Sequence, residues 1–335
     1  GVVPWNFPLI MAVWKAAPAL AAGCSVIIKP AEDTPLSALR IAQIAKEAGI
    51  PDGVFNVVPG FGDVGEALGR HNDVDAVSFT GSTEVGGLFM KYSGESNLKT
   101  IGLEMGGKSP FLVLEDAKIN DTLIDNAINS AFWNGGQNCS ANMRQIIHSK
   151  VKDEFLDKVL KRIKNIKVGD PLDTETNMGS MISKGHLAKV DGYIQKGIDE
   201  GASILHGGVS DSNQKGFFAK PTLFDNVKEN MTIAQDEIFG PVLGVLTVND
   251  TEEALKIAKN SKYGLHASVF TQDINKAFHI AKNLPCGTVS INTFSEGDIK
   301  TPFGGYKQSG SLSRDQGTEA LNQYLQTKTI WISHS

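Results

Sequence analysis

The sequence predicts an α/β protein built on doubly wound parallel sheets, and two observations lead to this prediction. Short β-branched runs alternate with helical patterns between residues 25 and 103, and a similar alternation returns in the second half of the chain. Alternating strands and helices imply right-handed crossovers and parallel strand pairing. The chain has 335 residues, enough for about two domains, and its 35 glycines are typical of α/β folds.

The first half contains four predicted strands and three predicted helices. The first helix is expected to open at Thr34 and Pro35, with an N-cap and a proline at its first position, and to close at Gly49. Shorter helices are expected near 63–68 and 83–90, and the opening segment GVVPWNFPL is strand-like. The strands are β-branched runs: SVIIK (25–29), VFNVV (54–58), AVSFT (76–80) and KTIGL (99–103).

The second half repeats this pattern. The tail YLQTKTIWIS (324–333) is amphipathic and strand-like, and a lone terminal strand needs a partner from elsewhere. Strands are predicted at 110–114, 144–148 and 244–248, and helices at 121–133, 151–164, 184–199, 252–259 and 273–283.

Composition excludes several classes of protein. Lysine and arginine number 32 against 37 acidic residues, a net charge of −5 without a basic cluster, so nucleic acid is not an expected partner. The three cysteines, Cys24, Cys139 and Cys286, are far apart and lack CxxC spacing, and the histidines are scattered. Neither a metal site nor a disulfide framework is therefore expected, and a reducing cytoplasm is the expected compartment. No apolar run reaches the roughly 18 residues of a membrane span.

Cys139 is the leading candidate for a catalytic nucleophile. It lies in FWNGGQNCS (132–140), and Glu104, a candidate base, lies 139 − 104 = 35 residues upstream in LEMGGKSP (103–110). A reactive thiolate needs backbone donors close by, which flanking glycines permit. A free cysteine is more often a small buried hydrophobe. The polar run before Cys139 makes a poor core segment, which favours the functional interpretation.

Three loops have residues suited to binding a ligand. FTGSTEVG (79–86), with Gly81 and Ser82, joins a predicted strand to a predicted helix whose N-terminus suits a phosphate, although a simple capping turn explains it equally well. Lys29 and Glu32 follow another strand, where they suit ribose hydroxyls or a solvated loop. Asn6, between two prolines in PWNFP, presents a carboxamide of the kind that stabilises an oxyanion, and turn-forming asparagines also occur in such places.

Taken together, these segments resemble the aldehyde dehydrogenase superfamily. The resemblance covers essentially the whole chain, in family order and near family spacing, and an ordered set of motifs is far more specific than any one of them. The motifs are PWNFP, KPAE, FTGST, LEMGGKSP, GQNC, EIFGPV (237–242) and PFGGYKQSG (302–310).

The resemblance implies a covalent mechanism. Cys139 attacks the aldehyde carbon, the Asn6 amide and the Cys139 backbone N–H hold the resulting oxyanion, and Glu104 activates the water that hydrolyses the thioester. The cofactor is NAD, with Lys29 and Glu32 at the adenosine ribose, and NADP as the alternative that Glu32 disfavours. Gly81 and Ser82 are implied at the pyrophosphate, and Glu237 and Phe239 at the nicotinamide ribose.

The resemblance also implies a substrate tunnel. A negative charge at its mouth, from Glu296 and Asp298, would attract an amino-bearing aldehyde. The subfamily that the tail and EGDIKTPFGG most resemble is the bacterial γ-glutamyl-γ-aminobutyraldehyde dehydrogenases of putrescine degradation. A general aliphatic or aromatic aldehyde dehydrogenase is the alternative. The aromatic residues that map to the tunnel, and that would also suit an ordinary core, are Phe7, Trp14, Trp133 and Phe294.

Family members are about half as long again, so the chain looks like their C-terminal two thirds. The implied domains are the remaining part of the NAD-binding domain (1–105), an α/β catalytic domain (106–308) and a C-terminal segment with an oligomerisation strand (309–335). The full-length protein is expected to be a homodimer or homotetramer. The chain alone is expected to be poorly soluble or inactive, because part of the cofactor domain is absent and apolar surface is exposed.

Two rival interpretations keep the fold and change the function. One is a dinucleotide-binding or structural relative without turnover, which replacement of Cys139 or Glu104 would favour, and both residues are present. The other is a thiol hydrolase or acyltransferase, which the sequence disfavours because no histidine lies near Cys139 along the chain. A catalytically incomplete fragment of an aldehyde dehydrogenase is a separate alternative.

Overall fold

The computed structural model describes residues 1–211 and 215–334, and the chain divides into two compact units. The first unit comprises Gly1–Glu104, Gly297–Gly304 and Ser311–Ser335. The second unit comprises Met105–Glu296 and Gly305–Gly310. No helix in the described part of the chain has the length and apolarity needed to cross a membrane.

The first unit begins with a βα-alternating region. Strands β1 and β2 pair in parallel, β3 is a neighbour of β4, and Val2 forms parallel bridges to both Lys29 and Phe79. The loops that follow β1, Val2 and β3 therefore lie at one edge, the carboxyl ends of the strands. The elements are α1 (Pro8–Ala21), β1 (Val26–Ile28), α2 (Leu36–Glu47), β2 (Phe55–Val57), α3 (Gly62–Arg70), β3 (Ala76–Gly81), α4 (Thr83–Gly94) and β4 (Thr100–Met105).

Two predictions for this region are wrong. The opening segment GVVPWNFPL is not a strand beyond the Val2 bridges, because Pro8 begins α1, where a proline lacking N–H fits the first helical position. The N-cap prediction for α2 is also wrong: Pro35 occupies the cap position, with no side-chain bond to the helix. The predicted stop is confirmed, since Gly49 follows the helix with φ +92°.

The second unit is built on a seven-stranded sheet with the order β12-β11-β5-β6-β9-β8-β7. Its neighbouring strands are parallel except for the β7–β8 pair, and the parallel α/β prediction is confirmed. The elements are β5 (Pro110–Val113), α5 (Asp121–Phe132), a 3₁₀ turn (Trp133–Gly136), β6 (Arg144–His148), α6 (Ser149–Ile163), α7 (Lys184–Asp199), β7 (Ser203–His206), β8 (Thr222–Asp225), α8 (Thr232–Gln235), β9 (Val242–Val248), α9 (Thr251–Lys259), β10 (Tyr263–Gly264), β11 (His266–Phe270), α10 (Ile274–Asn283), β12 (Thr288–Ile291) and β13 (Tyr306–Lys307).

Alternation along the central strands places helices on both faces of this sheet. Leu112 on β5 faces one apolar cluster and its neighbour Phe111 faces another, as expected for a strand buried on both sides. The first cluster includes residues of α7, α9 and α10, and the second includes residues of α5 and α6. This doubly wound packing holds the sheet and the loops at its edges in fixed positions.

The remaining segments return to the first unit, where α11 spans Gly317–Asn322. They are tied to α1 by a buried ion pair in which Lys15 Nζ lies 2.6 Å from Asp315 Oδ2, with side chains 2% and 4% exposed. Trp14 packs edge-on against Phe303, with ring centroids 5.3 Å apart. A buried charge is tolerated only when it is paired, so this contact fixes the C-terminal segment against α1.

The tail forms no strand in this single chain, and the strand expected over 324–333 in contact with a partner from elsewhere stays a prediction. Residues 325–334 have no regular secondary structure. Three consecutive tail residues, Ile330, Trp331 and Ile332, are 77%, 90% and 71% exposed. The physical reason is that a strand exists through hydrogen bonds to a neighbour, and the described part of the chain provides none for this segment.

Candidate active site

Cys139 follows a tight left-handed turn at the end of α5. Asn134, Gly135 and Gly136 have φ values of 54°, 65° and 70°. Glycine adopts such values without steric cost, and Asn tolerates them better than most residues. At Gly136 the space is also closed, because a Cβ there would lie 2.6 Å from the Gly240 carbonyl oxygen. The two glycines of FWNGGQNCS are therefore required by the backbone path.

Polar side chains satisfy one another inside this turn. Asn134 Nδ2 donates to the Gln137 carbonyl oxygen at 3.2 Å, and Gln137 Nε2 donates to the Asn134 carbonyl oxygen at 3.0 Å. Gln137 Oε1 accepts from the Ile182 backbone N–H at 3.0 Å. Gln137 is buried, so these bonds offset the cost of removing its amide from water. The polar residues before Cys139, which are unsuited to an apolar core, therefore satisfy their hydrogen-bonding groups within the turn.

Cys139 itself is half-buried and is not in a disulfide. Both of its neighbours are buried, and Asn138 Oδ1 accepts from the Ser140 N–H at 3.2 Å and lies 3.1 Å from the Ser140 hydroxyl oxygen. The Cys139 Sγ lies 3.8 Å from Asn138 Oδ1. The thiol is therefore partly accessible on a backbone that is fixed on either side.

Three site segments meet at the amino ends of neighbouring strands. The segments 133–143, 105–109 and 236–241 precede β6, β5 and β9, which are parallel neighbours in the order β5-β6-β9. Contact between two of these segments is close, because a Cβ on Gly107 would lie 2.5 Å from the Cys139 carbonyl oxygen. The glycines of LEMGGKSP thus allow that loop to pack directly on the nucleophile segment.

Glu237 is held by the same loop. Its Oε1 accepts from the Gly107 N–H at 3.0 Å, and a Cβ on Gly106 would lie 2.0 Å from Oε2, so a side chain there would displace the carboxylate. The residue as a whole is half-buried, but its carboxylate lies against this backbone. Burial raises the pKa of Glu237 to about 7, against the opposing effect of the Gly107 N–H. Its protonation state is therefore set by its surroundings in the second unit.

Lys108 is a buried cation that the sequence reasoning missed. Its Nζ has no hydrogen-bond partner within the described residues. Burial lowers its pKa to about 7, helped by the charge of Arg144 and opposed by Glu237 and Asp236. A signal was present in the sequence, since this lysine lies two residues before the apolar strand PFLVL.

Glu296 lies beside the nucleophile. Its Oε1 accepts from Asn138 Nδ2 at 3.1 Å and from the Ser140 hydroxyl, the two residues that flank Cys139. The family resemblance implies a position for Glu296 at a tunnel mouth, and the structure gives this residue contacts to the nucleophile segment. Asp298, in the first unit, is exposed and accepts from the Lys300 N–H at 3.0 Å.

A chain reversal after β12 brings Glu296 to this position. Asn292 has φ +56° and fixes the reversal through its side chain, which accepts from the Thr271 N–H and donates to the Thr271 carbonyl oxygen, both at 3.0 Å. The Ser295 carbonyl oxygen then accepts from the Ser290 hydroxyl at 2.7 Å. The segment 292–296 therefore runs back alongside the edge strand β12, toward the amino ends of the strands.

His266 connects this reversal to the nucleophile segment. Its Nε2 lies 3.0 Å from the Ser295 carbonyl oxygen, and its Nδ1 lies 3.3 Å from Asn142 Nδ2. The side chain is 1% exposed, and burial lowers its pKa to about 4. His266 is thus neutral near pH 7. The sequence reasoning missed it, although a histidine at the start of the apolar run HASVF was a signal.

The burial of His266 predicts acid sensitivity. A folded pKa of about 4, below the ordinary 6.5, means that the unfolded chain binds more protons between these values, so stability falls as pH falls through this range. Between pH 7.5 and pH 5 the free energy of unfolding should drop by about 2 kcal/mol from this residue. Urea unfolding of the wild type and His266→Gln at both pH values measures it. An equal drop in the two proteins would contradict the prediction.

The candidate cofactor residues of the first unit lie at its strand ends. Lys29 is buried, and its Nζ lies 3.6 Å from Glu32 Oε2, a carboxylate that is about half exposed. Ser82 caps α4 by accepting from the Val85 N–H at 3.3 Å. A Cβ on Gly81 would lie 2.5 Å from the Phe79 ring. Ser82 therefore caps α4. The positive end of the α4 dipole lies at the carboxyl ends of the strands, as Lys29 and Glu32 do.

Asn6 and Glu104 also belong to the first unit. Asn6 lies in the short segment between Val2 and α1, and Glu104 lies near the end of β4 and is 3% exposed. Phe7 and Trp14 are partly buried and pack against the apolar cluster of this unit. For these two aromatic residues the structure displays the core packing that the sequence analysis kept as the alternative to a tunnel.

The other aromatic candidates lie in the second unit. Trp133, in the turn before Cys139, is 51% exposed. Phe294 packs edge-on against His266, with ring centroids 5.2 Å apart. Phe239 has φ +59°, a strained value for a non-glycine residue, and its carbonyl oxygen lies 2.6 Å from His186 Nε2. Strain of this kind is common at ligand sites.

Comparison with known proteins identifies a family. The model of the aldehyde dehydrogenase family matches residues 1–330. The aminoacetaldehyde dehydrogenase of Pseudomonas aeruginosa is 47% identical over 335 residues, which is 100% of this chain and 67% of the relative. The chain thus spans about two thirds of the length of this relative.

Solved structures agree with this result. An indole-3-acetaldehyde dehydrogenase in complex with NAD+ superposes with a TM-score of 0.97 at 46% identity, covering 99% of this chain and 68% of that one. The γ-glutamyl-γ-aminobutyraldehyde dehydrogenase of Burkholderia cenocepacia superposes with a TM-score of 0.93 at 46% identity, covering 96% and 65%. At such identity the likeness extends to sequence as well as fold.

Proposed function

This chain belongs to the aldehyde dehydrogenase family, and on that basis we propose that the whole protein oxidises an aldehyde to its carboxylic acid with NAD+. The observation that supports this most directly is Cys139, a partly accessible thiol on a backbone fixed by buried side chains on both sides. A nucleophile held in this way loses little entropy when it reacts.

Cys139 carries the covalent chemistry in this proposal. Its thiolate forms a C–S bond with the aldehyde carbon, and the carbonyl oxygen becomes an oxyanion. The donors that we assign to this oxyanion are the Asn6 side-chain amide and the Cys139 backbone N–H. In comparable sites the loss of one such donor costs roughly 2.7 to 4 kcal/mol of transition-state stabilisation.

Bound NAD+ would supply the acceptor for the hydride that the adduct loses, which leaves a thioester on Cys139. Glu104 then takes a proton from water, the water oxygen attacks the thioester carbon, and the C–S bond breaks to release the acid. The position of Glu104 supports this role, because a side chain that is 3% exposed is shielded from bulk water.

The residues that would hold the dinucleotide fit it in chemistry. Glu32 offers an exposed carboxylate to ribose hydroxyls, and it favours NAD+ because it would repel the 2′-phosphate of NADP+. The turn at Gly81 and Ser82 opens α4, whose positive end suits a pyrophosphate. Glu237 and Phe239 are assigned to the nicotinamide ribose. Related dehydrogenases that were solved as NAD+ complexes support NAD+ as the cofactor.

We propose an aminoaldehyde, such as γ-glutamyl-γ-aminobutyraldehyde, as the substrate, and putrescine degradation as the setting. Two relatives support this proposal, named as dehydrogenases of aminoacetaldehyde and of γ-glutamyl-γ-aminobutyraldehyde. A carboxylate at Glu296, beside the nucleophile, would attract a cationic amino group. We further infer a cytoplasmic homodimer or homotetramer, with the exposed tail as part of its interface.

A kinetic panel on the full-length protein tests this function. Aminoaldehydes, aliphatic aldehydes and aromatic aldehydes are each supplied with NAD+ or NADP+, and absorbance of the reduced cofactor is recorded. We expect turnover with NAD+ and the highest kcat/KM with an aminoaldehyde. Absence of reduced cofactor with every aldehyde would overturn the proposal, and ester hydrolysis without reduction would favour a thiol hydrolase.

A further inference from the structure

Glu296 bonds to both neighbours of the nucleophile, which is more than a substrate contact requires. Its Oε1 accepts from Asn138 Nδ2 at 3.1 Å and from the Ser140 hydroxyl. Asn138 Oδ1 in turn accepts from the Ser140 N–H, while the single hydroxyl proton of Ser140 is donated to Glu296. Asn138, Ser140 and Glu296 therefore form a closed set of hydrogen bonds around Cys139, and we refer to these three residues as the clamp.

We propose that Glu296 is a positioning residue for Cys139: through the clamp it holds the backbone on both sides of the nucleophile in its reactive place. The inference rests on the proposed function and adds to it, since a residue that only attracts an amino group need not touch Asn138 or Ser140. It predicts that Glu296 matters for every aldehyde, including those that have no amino group.

The nucleophile segment needs such support from outside. The turn before Cys139 has three consecutive residues with positive φ, and one of them, Asn134, is not glycine. Left-handed backbone is less favourable for asparagine than for glycine, so surrounding contacts must hold Asn134 in this conformation. Hydrogen bonds to an ionised carboxylate are roughly twice as strong as neutral ones, so Glu296 is well suited to this task.

The segment that carries Glu296 is itself held in place by hydrogen bonds. The chain reversal at Asn292 is fixed by two hydrogen bonds to Thr271, and the Ser295 carbonyl oxygen accepts from the Ser290 hydroxyl. Ser290 lies on β12, within the parallel sheet of the second unit. The clamp therefore transmits the rigidity of the sheet to Cys139.

The two oxygens of the Glu296 carboxylate allow it both to bond the clamp and to attract a substrate amino group. Both clamp bonds are to Oε1, whereas Oε2 accepts no hydrogen bond within the described residues. Glu296 is half-buried, so one oxygen can hold the protein while the other meets an amino group. Loss of the clamp should lower kcat, and loss of the amino contact should raise KM for aminoaldehydes alone.

The test compares Glu296→Ala with Glu296→Gln in the full-length enzyme. A carboxamide oxygen still accepts both clamp bonds, so the Gln variant keeps the clamp but loses the charge. With a short aliphatic aldehyde that has no amino group, Glu296→Ala should lower kcat about tenfold at little change in KM, and Glu296→Gln should restore most of this loss. Ser140→Ala should add little in the Glu296→Ala background, because both changes break the same bond.

Hydrogen exchange of the peptide containing residues 133–143 provides a readout that needs no turnover. Exchange should be faster in Glu296→Ala than in the wild type and near the wild-type rate in Glu296→Gln. Unchanged exchange together with an unchanged kcat for the aliphatic aldehyde would overturn the clamp. If the wild type shows no dehydrogenase activity while exchange responds as expected, the proposed function fails and the clamp stands. If Glu296→Ala does not fold, Ser140→Ala takes its place in both assays.

Discussion

Replacing Cys139 with alanine in the full-length protein should abolish the formation of reduced cofactor from aldehyde, with a fall in kcat of at least about 10⁴-fold. No covalent adduct can form without the sulfur, so the steps that follow have no substrate. The fold should survive, because Cys139 is only half-buried and the bonds that fix this segment belong to its neighbours. The measurement is kcat with saturating aldehyde and NAD+, together with the melting temperature.

The chain provides a matched control in Cys286. This thiol belongs to the same unit and packs against its apolar core, and burial raises its pKa to about 12, so it is no nucleophile near neutral pH. Cys286→Ala should keep kcat within about twofold and should lose about 1 to 2 kcal/mol of stability by removing buried atoms. Equal activity loss in both variants would mean that damage to the fold, and not loss of the nucleophile, explains the Cys139 result.

The parallel sheets could be predicted because buried strands have a distinctive composition. PFLVL and RQIIH are short β-branched or apolar runs, and both are strands in the structure. Strands β8 and β11 were missed, since TLFD and HASVF mix polar with apolar residues and their pairing partners are distant in sequence. Helix α1 was missed as well, because prolines at both ends of PWNFP gave it the appearance of an extended loop.

The nucleophile could be predicted, whereas its supports could not. Glycines next to a cysteine are a local pattern, so Cys139 is visible in the sequence alone. The contacts of Glu296 depend on the reversal at Asn292. The contact of Glu237 with Gly107 depends on the positions of β5 and β9 on either side of β6, because the two residues lie in the segments that precede these strands. Contacts between segments more than 100 residues apart are set by the topology of the sheet, which no local pattern records.

The second large effect is expected from Gly136→Ala. The residue has φ +70°, and a Cβ there would lie 2.6 Å from the Gly240 carbonyl oxygen and 2.4 Å from Met143 Cε. Left-handed backbone costs alanine about 1 kcal/mol, and the contact with Gly240 forces one of two packed backbones to move. We expect a loss of about 3 kcal/mol in the free energy of unfolding. A shift of this segment by 1 Å should also lower kcat about 100-fold.

Two other glycines of the second unit separate the effect of backbone strain from that of the contact with Gly240. Gly201 has φ +92° with no atom within 4 Å of its would-be Cβ, so Gly201→Ala measures the backbone strain alone. Gly192 lies inside α7, also in open space, where alanine should be neutral or stabilising by up to about 1 kcal/mol. The expected order of stability is Gly192→Ala, Gly201→Ala and then Gly136→Ala, with kcat reduced only in the last. Gly136→Ala could instead be no less stable than Gly201→Ala and keep its kcat. The backbone at Gly240 would then move away from the new Cβ at little cost, which would contradict the tight packing that we infer for the nucleophile turn.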